Sequence, residues 1–190
     1  MSTLGSTTKL NVIVAACNNM GIGIEGRLPW RLKQDMAFFK KITTTTQNTA
    51  KKNVVIMGKN TWLSIPAKFR PLSDRINIIL STQLQEKPQG AYLVSSFEKA
   101  MELISSLHKD VESVFVIGGA SVYKEAMQMP NPCRIFFTRV HSSFSCDTFF
   151  PDIDDNIFKR LSTTDQQSIV LPETFQENGI QFSFEIYDKS

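Results

Sequence analysis

Short apolar runs separated by amphipathic stretches recur along the first two thirds of the chain. The runs at 10–17, 53–57, 76–80 and 114–117 are almost uninterrupted, which is typical of strands buried on both faces of a sheet. The stretches between them predict helices at about 32–42, just after Gly58, at about 97–107 and at 120–127. This alternation of strands and helices predicts an α/β fold, a three-layer sandwich with a central, mostly parallel sheet.

The last third of the chain has a different pattern. Apolar and polar residues alternate from Ile180 to Ile186, as in a half-buried strand. The segments 134–141 and 158–164 also predict strands, and no helical pattern lies between them. The sheet is therefore expected to end in an antiparallel C-terminal hairpin, with a loop at about 145–156, where Asp and Pro favour turns.

Length and composition describe an ordinary globular domain over residues 1–190, with residues 1–8 as a flexible leader. No apolar run approaches the roughly 18 residues that span a bilayer, and no signal-peptide pattern begins the chain. Cys17, Cys133 and Cys146 are too widely spaced to indicate a zinc site or a disulfide framework, so a reducing cytoplasm fits best. The net charge of +3 comes from scattered residues and does not indicate a nucleic-acid partner.

Asp35 is the most informative single residue of the predicted helix at 32–42. At about 100° per residue it lies within the apolar stripe, whereas several neighbours point to the opposite side. The stripe contains Leu32, Phe38, Phe39 and Ile42, and the opposite side contains Lys33, Ala37, Lys40 and Lys41. A carboxylate in an apolar stripe is costly unless it is hydrogen-bonded or paired, so Asp35 is a candidate functional residue. The pattern leaves open a second interpretation, in which Asp35 caps the first turn of the helix.

Three glycine-containing segments could approach a ligand. Residues 19–30 contain Gly21, Gly23 and Gly26, although composition alone favours an ordinary surface loop there. Gly58 and the pair Gly118-Gly119 each lie between a predicted strand and a helix start, where free N–H groups suit phosphates. Neither junction is a P-loop or a Gly-x-Gly-x-x-Gly fingerprint, and a glycine can end a strand for packing alone. Two such junctions in one small chain raise the prospect of a nucleotide with two phosphate groups.

Other catalytic schemes have little support in the sequence. His108 and His141 have no serine in a nucleophile-elbow sequence to act upon. No His, Cys or carboxylate cluster has metal-ligand spacing, so no metal site is predicted. Hydrolysis by two carboxylates would need a second acid paired with Asp35, and the sequence indicates none.

Several segments, in this order and spacing, resemble the animal type of the dihydrofolate reductase family over about residues 10–188. They are 19–23, 28–30, 55–59, 61–62, 64–66, 70–72, 88–91, 118–119, 122–127 and 147–151. The resemblance implies reduction of 7,8-dihydrofolate to tetrahydrofolate for one-carbon, thymidylate and purine synthesis, with hydride transfer from NADPH to pterin C6 and protonation at N5. It also implies a cytoplasmic monomer that binds antifolate inhibitors and needs no nucleic acid or membrane.

The resemblance also assigns roles to residues. Asp35 would bind the pterin 2-amino group and N3, Thr138 would orient Asp35, and Trp30 would hold a water, with Leu28 and Tyr123 completing the catalytic group. The pKa of Asp35 is expected to be raised by its apolar surroundings. Arg75 would bind the glutamate α-carboxylate of the substrate. The full substrate-binding set would be Ile13, Val14, Asp35, Met36, Phe39, Ser64, Ile65, Phe69, Leu72, Arg75, Ile117 and Thr138.

For NADPH, the resemblance implies a site that runs from the nicotinamide to the adenosine. Its residues would be Ala15, Ile22, Gly26, Gly58, Lys59, Asn60, Thr61, Ser81, Thr82, Gly118, Gly119, Ala120, Ser121, Val122 and Tyr123. The bond between Gly118 and Gly119 resembles the family's non-proline cis peptide. The loop at 20–28 would close over the nicotinamide.

The chain also departs from the animal pattern. The acid is Asp35 at the spacing of bacterial members, and Met36, Phe69 and Arg27 replace a usual Phe, Asn and acidic residue, so a different inhibitor response is expected. Thr82 and Ser95 or Ser96 stand where animal members often have Arg for the 2′-phosphate, which leaves the preference for NADPH over NADH less visible. Two alternatives remain: reduction of a riboflavin-precursor pyrimidine on the same fold, and a folate-binding module without turnover.

Overall fold

The computed structural model describes residues 7–162 and 174–190. In this part of the chain the strands are β1 (Leu10–Ala16), β2 (Gly21–Gly23), β3 (Lys52–Gly58), β4 (Arg75–Leu80), β5 (Tyr92–Val94), β6 (Val111–Gly118), β7 (Cys133–Val140), β8 (Thr148–Phe149), β9 (Phe158–Arg160), β10 (Thr174–Glu177) and β11 (Ile180–Lys189). The helices are α1 (Lys33–Thr44), α2 (Lys59–Ser64), α3 (Phe97–Ser106) and α4 (Ala120–Gln128), with a 3₁₀ turn at Ala67–Phe69.

The main sheet has the order β10-β11-β7-β1-β6-β3-β4-β5, and β9 also pairs with β11. The strands from β7 to β5 run parallel to their neighbours, whereas β9, β10 and β7 are antiparallel to β11. β2 and β8 form a separate two-stranded sheet. The predicted mostly parallel sheet with antiparallel C-terminal strands is confirmed.

Successive residues of the central strands pack on opposite faces of this sheet, as the strand period requires. Val12 and Val14 of β1 join the core that contains α3 and α4, whereas Ile13 joins the core that contains Trp62 of α2. Phe38, Phe39 and Ile42 of α1 pack against this second core. Because both faces are covered, the central strands are nearly continuous apolar runs, and the three-layer prediction is confirmed.

The C-terminal hairpin joins β10 to β11 through Asn178 and Gly179, whose φ angles of 52° and 73° match a tight type I′ turn. The predicted strand at 158–164 is shorter, because β9 ends at Arg160 and residues 163–164 lie outside the described part. The loops predicted at 19–30 and 145–156 each contain a short strand, β2 and β8, which the pattern was too brief to reveal.

The predictions of a flexible leader, of no membrane span and of no metal site concern the whole chain, whereas the structure describes only part of it. Residues 1–6 of the predicted leader lie outside the described range, and the carbonyl of Thr8 accepts a hydrogen bond from Asn131. Among the described helices none is both long and apolar enough to cross a membrane. Residues 7–162 and 174–190 contain no cluster of His, Cys, Asp or Glu that could hold a metal ion.

Candidate active site

Asp35 lies buried in the first turn of α1, with only 9% of its surface exposed. It does not cap the helix. The free N–H groups of Lys33 and Gln34 donate instead to the Glu177 carboxylate at the end of β10, at 2.7 and 3.1 Å. The capping interpretation of Asp35 is therefore wrong, because a residue from the hairpin satisfies these donors.

Within the described part of the chain, one hydroxyl donates a hydrogen bond to the Asp35 carboxylate. Thr138 of β7, which is 3% exposed, donates from Oγ1 to Asp35 Oδ1 at 2.7 Å. Burial raises the pKa of Asp35 above its usual value, and the hydrogen bond from Thr138 lowers it by a smaller amount. No ion pair among the described residues involves Asp35. The carboxyl is thus poised to hold or release a proton closer to neutral pH than an exposed aspartate.

Trp30 lies beside Asp35 in the wall of a cavity of about 400 Å³. Its indole is 6% exposed, and Nε1 is buried without a hydrogen-bond partner among the described residues. A buried N–H without a partner is costly, so a group bound in this cavity can gain by accepting from it. Asp35 and Trp30 together present one acceptor and one donor to the same space.

A larger cavity of about 1390 Å³ adjoins the smaller one, and Leu28 and Met36 line both. Most of the residues predicted to bind substrate or cofactor line it. They are Val14, Ala15, Ile22, Gly26, Phe39, Gly58, Lys59, Asn60, Thr61, Ser64, Ile65, Phe69, Leu72, Arg75, Ser81, Thr82, Ile117, Gly118, Gly119, Ala120, Ser121, Val122 and Tyr123. This volume exceeds that of a typical drug-sized ligand site, so two ligands can bind side by side.

Ile13 and Thr138 are the two predicted site residues that line neither cavity. Thr138 lies behind Asp35 and acts on it through the hydrogen bond. The carbonyl of Ile13 accepts a 2.8 Å hydrogen bond from the hydroxyl of Tyr123, whose pKa is raised by burial. The backbone of Ile13 therefore holds Tyr123, and contact of Ile13 with a substrate stays a prediction.

Arg75 begins β4 at the wall of the larger cavity and is 9% exposed. Its Nε donates to the Ser73 carbonyl and its Nη1 donates to Thr43 Oγ1, both at 2.9 Å. Burial lowers the pKa of Arg75, and the Asp74 carboxylate opposes this in part. No ion pair within residues 7–162 or 174–190 neutralises the guanidinium, so an anionic group of a ligand can do so.

The two glycine junctions lie next to each other in the wall of the larger cavity. A Cβ on Gly58 would lie 3.7 Å from the nitrogen of Gly119 and 4.0 Å from the oxygen of Gly118. Helix α2 begins at Lys59, directly after Gly58, and helix α4 begins at Ala120, directly after Gly119. The peptide bond between Gly118 and Gly119 is cis. The junctions thus bring two helix starts together, where unpaired N–H groups favour anions.

The segment 20–27 forms part of the wall of this cavity and is hydrogen-bonded to residues 147–150. Glu25 donates from its backbone N–H to the Asp147 carboxylate at 2.8 Å, and Phe150 donates to the Met20 carbonyl at 2.8 Å. The hydrogen bond from Glu25 lowers the pKa of Asp147. Gly23, Gly26 and Arg27 of the segment line the cavity, so the segment is placed to cover a ligand there.

Comparison with known proteins agrees with this geometry. The sequence model of the dihydrofolate reductase family matches residues 9–189. The chain is 48% identical to a dihydrofolate reductase of Rattus norvegicus, over 95% of this chain and 97% of that protein. It is 43% identical to one of Heliothis virescens, over 97% and 99%. The structure of Schistosoma mansoni dihydrofolate reductase superimposes with a TM-score of 0.84 at 42% identity, covering 97% of this chain and all of that one.

This chain belongs to the dihydrofolate reductase family. The coverage extends over nearly the whole chain, and the resemblance to the animal type is confirmed by these relatives. Family membership accounts for the shared fold, whereas the side-chain contacts described above are those observed in this chain.

Some residues that line the larger cavity were not predicted from the sequence as site residues. Ala37 and Lys40 were expected on the helix face opposite Asp35, yet both line the larger cavity. Lys68, Gln83 and Thr148 also line it. The larger cavity borders one flank of α1, where Met36 and Phe39 lie next to Ala37 and Lys40, so its lining does not follow the boundary of the apolar stripe. Thr43, which contacts Arg75, was not among the predicted site residues; it belongs to the run of threonines at 43–46.

Proposed function

We propose that the protein reduces 7,8-dihydrofolate to 5,6,7,8-tetrahydrofolate with NADPH as the reductant. The observation that carries this is the buried Asp35 carboxylate, which lies beside a cavity large enough for a second ligand. It shares its own cavity with the Trp30 N–H, which has no hydrogen-bond partner within the described part of the chain. NADPH, when bound, would supply the hydride that adds to pterin C6.

Asp35 would bind the pterin through two parallel hydrogen bonds, since a carboxylate can accept from both the 2-amino group and N3. Thr138 would hold the carboxylate in the orientation that these bonds need. The raised pKa of Asp35 keeps a proton available near the site, and pterin N5 would gain its proton through water. Leu28, Met36 and Phe39 would enclose the ring and exclude bulk water.

The residues around the glycine junctions fit NADPH. The starts of α2 and α4 offer backbone N–H groups to a pyrophosphate, and Thr61 and Ser121 add hydroxyls at the same place. Lys59 would bind the 2′-phosphate side, near Ser81 and Thr82. Ala15, Ile22 and Tyr123 would contact the nicotinamide side, and the segment 20–27 would cover it.

Arg75 would bind the glutamate α-carboxylate of the substrate, because it is a buried cation without a carboxylate partner in the described residues. Val14, Ser64, Ile65, Phe69, Leu72 and Ile117 would line the path between the pterin and this cation. Antifolates that share the pterin and tail would bind in the same space. We also infer a cytoplasmic monomer with one folded domain, as the family resemblance supports.

The direct test is NADPH oxidation by the purified chain in the presence of 7,8-dihydrofolate, which is monitored as the loss of NADPH absorbance. The product should co-migrate with tetrahydrofolate on chromatography. A folded chain that binds dihydrofolate but oxidises no NADPH would be a binding module, and the proposal would be wrong. The aminopyrimidine precursor of riboflavin should be tested as a second substrate. Faster turnover of that substrate than of dihydrofolate would favour the alternative function on the same fold.

Replacing Thr138 with Val should move the pH profile of kcat/KM. The hydroxyl of Thr138 lowers the pKa of Asp35, so its loss leaves burial unopposed and raises that pKa further. We expect the ionisation in the profile to move toward higher pH. Thr138→Ser keeps the donor and should restore the wild-type profile. An unchanged profile in Thr138→Val would mean that the Thr138 hydroxyl does not affect the pKa of Asp35.

Replacing Lys59 with Met should reduce the preference for NADPH over NADH. Lys59 is a cation in the cavity wall, held by a 3.1 Å hydrogen bond from Nζ to Gln83 Oε1, and a 2′-phosphate would recruit it. The ratio of kcat/KM values for the two cofactors should fall about tenfold. Lys87→Met removes an exposed lysine outside both cavities and serves as the control. An unchanged ratio would show that Lys59 does not bind the 2′-phosphate.

A further inference from the structure

Residues of the described part of the chain hold the Arg75 guanidinium at two of its five N–H groups. Nε donates to the Ser73 carbonyl and Nη1 donates to Thr43 Oγ1, each at 2.9 Å. Because the guanidinium is planar and rigid, two such contacts together fix its orientation at the wall of the larger cavity. The N–H groups on Nη2 and the second one on Nη1 have no partner among residues 7–162 and 174–190, and they form the edge that a carboxylate accepts from in parallel.

Thr43 is a fully buried residue in the last turn of α1, with none of its surface exposed. Its hydroxyl donates to the Phe39 carbonyl at 2.8 Å. Because the single hydroxyl proton is used in this way, the oxygen can only accept from Arg75 Nη1. The backbone of α1 therefore decides how the hydroxyl points, and the hydroxyl decides where Nη1 lies.

The end of α1 is itself tied to the strand next to Arg75. Asn53 of β3 is 1% exposed and donates from Nδ2 to the carbonyls of Thr43 and Thr45, at 3.1 and 2.9 Å. Its Oδ1 accepts from the Ser113 N–H at 3.1 Å, and Asn53 is also the register partner of Arg75 in the β3–β4 pair. The helix end and the base of the Arg75 side chain are thus fixed to the same point of the sheet.

We propose that Thr43 is a positioning residue, which holds Arg75 in the orientation that recognises the carboxylate at the tail of the substrate. This inference rests on the proposed function and adds to it a residue that touches neither substrate nor cofactor. Its consequence is selective. Loss of the Thr43 hydroxyl should weaken binding of ligands that carry the tail carboxylate and leave those without it unaffected.

The neighbouring threonines provide matched controls. Thr44 Oγ1 donates to the Lys40 carbonyl and Thr45 Oγ1 donates to the Lys41 carbonyl, each at 2.6 Å. These two residues are half-buried or exposed, make the same backbone contact as Thr43, and do not contact Arg75. A role in ending the helix would be shared by all three, whereas a role in substrate recognition belongs to Thr43 alone.

The experiment compares two substrates, 7,8-dihydrofolate and 6-methyl-7,8-dihydropterin, which lacks the benzoylglutamate tail. In Thr43→Val, which is nearly isosteric, the KM for dihydrofolate should rise about tenfold with kcat changed less than about twofold. The kinetics with the tailless pterin should be unchanged. Thr43→Ser should restore the wild-type KM, and Thr44→Val should leave both substrates unaffected.

A double-mutant cycle shows whether Thr43 acts through Arg75. In an Arg75→Gln background, Thr43→Val should cause no further rise in the KM for dihydrofolate, because the group that it positions is gone. An additional tenfold rise would mean that Thr43 acts by another route and would overturn the proposal.

The ratio of kcat/KM for the two substrates does not depend on the fraction of folded protein. It therefore remains informative if Thr43→Val folds poorly, and Thr43→Ala gives a second measurement. An equal loss with both substrates, or no loss with either, would overturn the proposal. Inhibition constants for a 2,4-diaminopteridine with and without the benzoylglutamate tail give the same ratio from binding alone. A wild-type chain without turnover would therefore refute the proposed reduction. The ratio of inhibition constants would still test whether Thr43 positions Arg75 for the tail carboxylate.

Discussion

Asp35→Asn is expected to lower kcat for dihydrofolate at least about 100-fold at neutral pH, while the protein stays folded. The substitution keeps the shape of the side chain and an oxygen that can accept from Thr138, so the buried hydrogen bond survives. It removes the ionisable group beside the pterin and replaces one acceptor with a donor, which faces the donors of the pterin. Steady-state turnover over a range of pH would measure this effect.

The same variant should be more stable than the wild type in alkaline solution. Burial raises the pKa of Asp35 above its unfolded value, so the folded state holds the proton more tightly. Stability from this group is therefore fully present below the unfolded pKa and is lost as pH rises through the folded pKa. The side-chain amide of the variant cannot ionise and escapes that loss, so the Tm of the variant should exceed that of the wild type in alkali and the gap should close in acid.

Both readouts have a control in Asp155→Asn, which changes an exposed carboxylate outside the cavities. The deficit in turnover of Asp35→Asn should also narrow as the pH falls, because more substrate is then protonated by solvent. Wild-type turnover at neutral pH in the variant would exclude Asp35 from the chemistry. A lower Tm in alkali would mean that the ionised carboxylate stabilises the fold.

The position of Asp35 could be predicted from the sequence because it depends on a local period. The helical wheel placed it among apolar neighbours, and the structure buries it there. Its partners could not be predicted in this way: Thr138 is 103 positions away, and Glu177, which caps the helix in its place, is 144 positions from the Lys33 N–H it accepts from. Sequence patterns carry no distance information at that separation; Thr138 was expected only through the family resemblance.

The central strands were equally predictable because burial on both faces leaves a continuous apolar signal. Strands of two or three residues leave too few positions for a reliable pattern, and β2, β5 and β8 were missed for that reason. The contact between Thr43 and Arg75 was missed for a different reason. Thr43 belongs to a run of four threonines, and only the tertiary structure shows that this one is buried against the guanidinium.

Gly118→Ala is the second substitution with a large expected effect, on both stability and cofactor binding. Gly118 has a φ of 133°, in a region that L residues rarely adopt. A Cβ there would lie 3.0 Å from Thr61 Oγ1 and 3.5 Å from the Tyr123 hydroxyl. We expect a loss of about 1–3 kcal/mol in the free energy of unfolding from the backbone alone. Displacement of Thr61 and Tyr123 should weaken NADPH binding as well, measured by fluorescence titration.

Gly119→Ala separates these two effects. Gly119 has a φ of −85°, and the nearest side-chain atom to its Cβ position is Thr61 Oγ1, at an ordinary 3.7 Å. The added methyl should therefore cost little stability in the free protein, measured by urea unfolding. Because Gly119 lines the cavity at the start of α4, the same methyl should still obstruct the pyrophosphate. Unchanged NADPH affinity in Gly119→Ala would mean that the phosphates bind elsewhere, and equal stability of the two variants would refute the strain expected at Gly118.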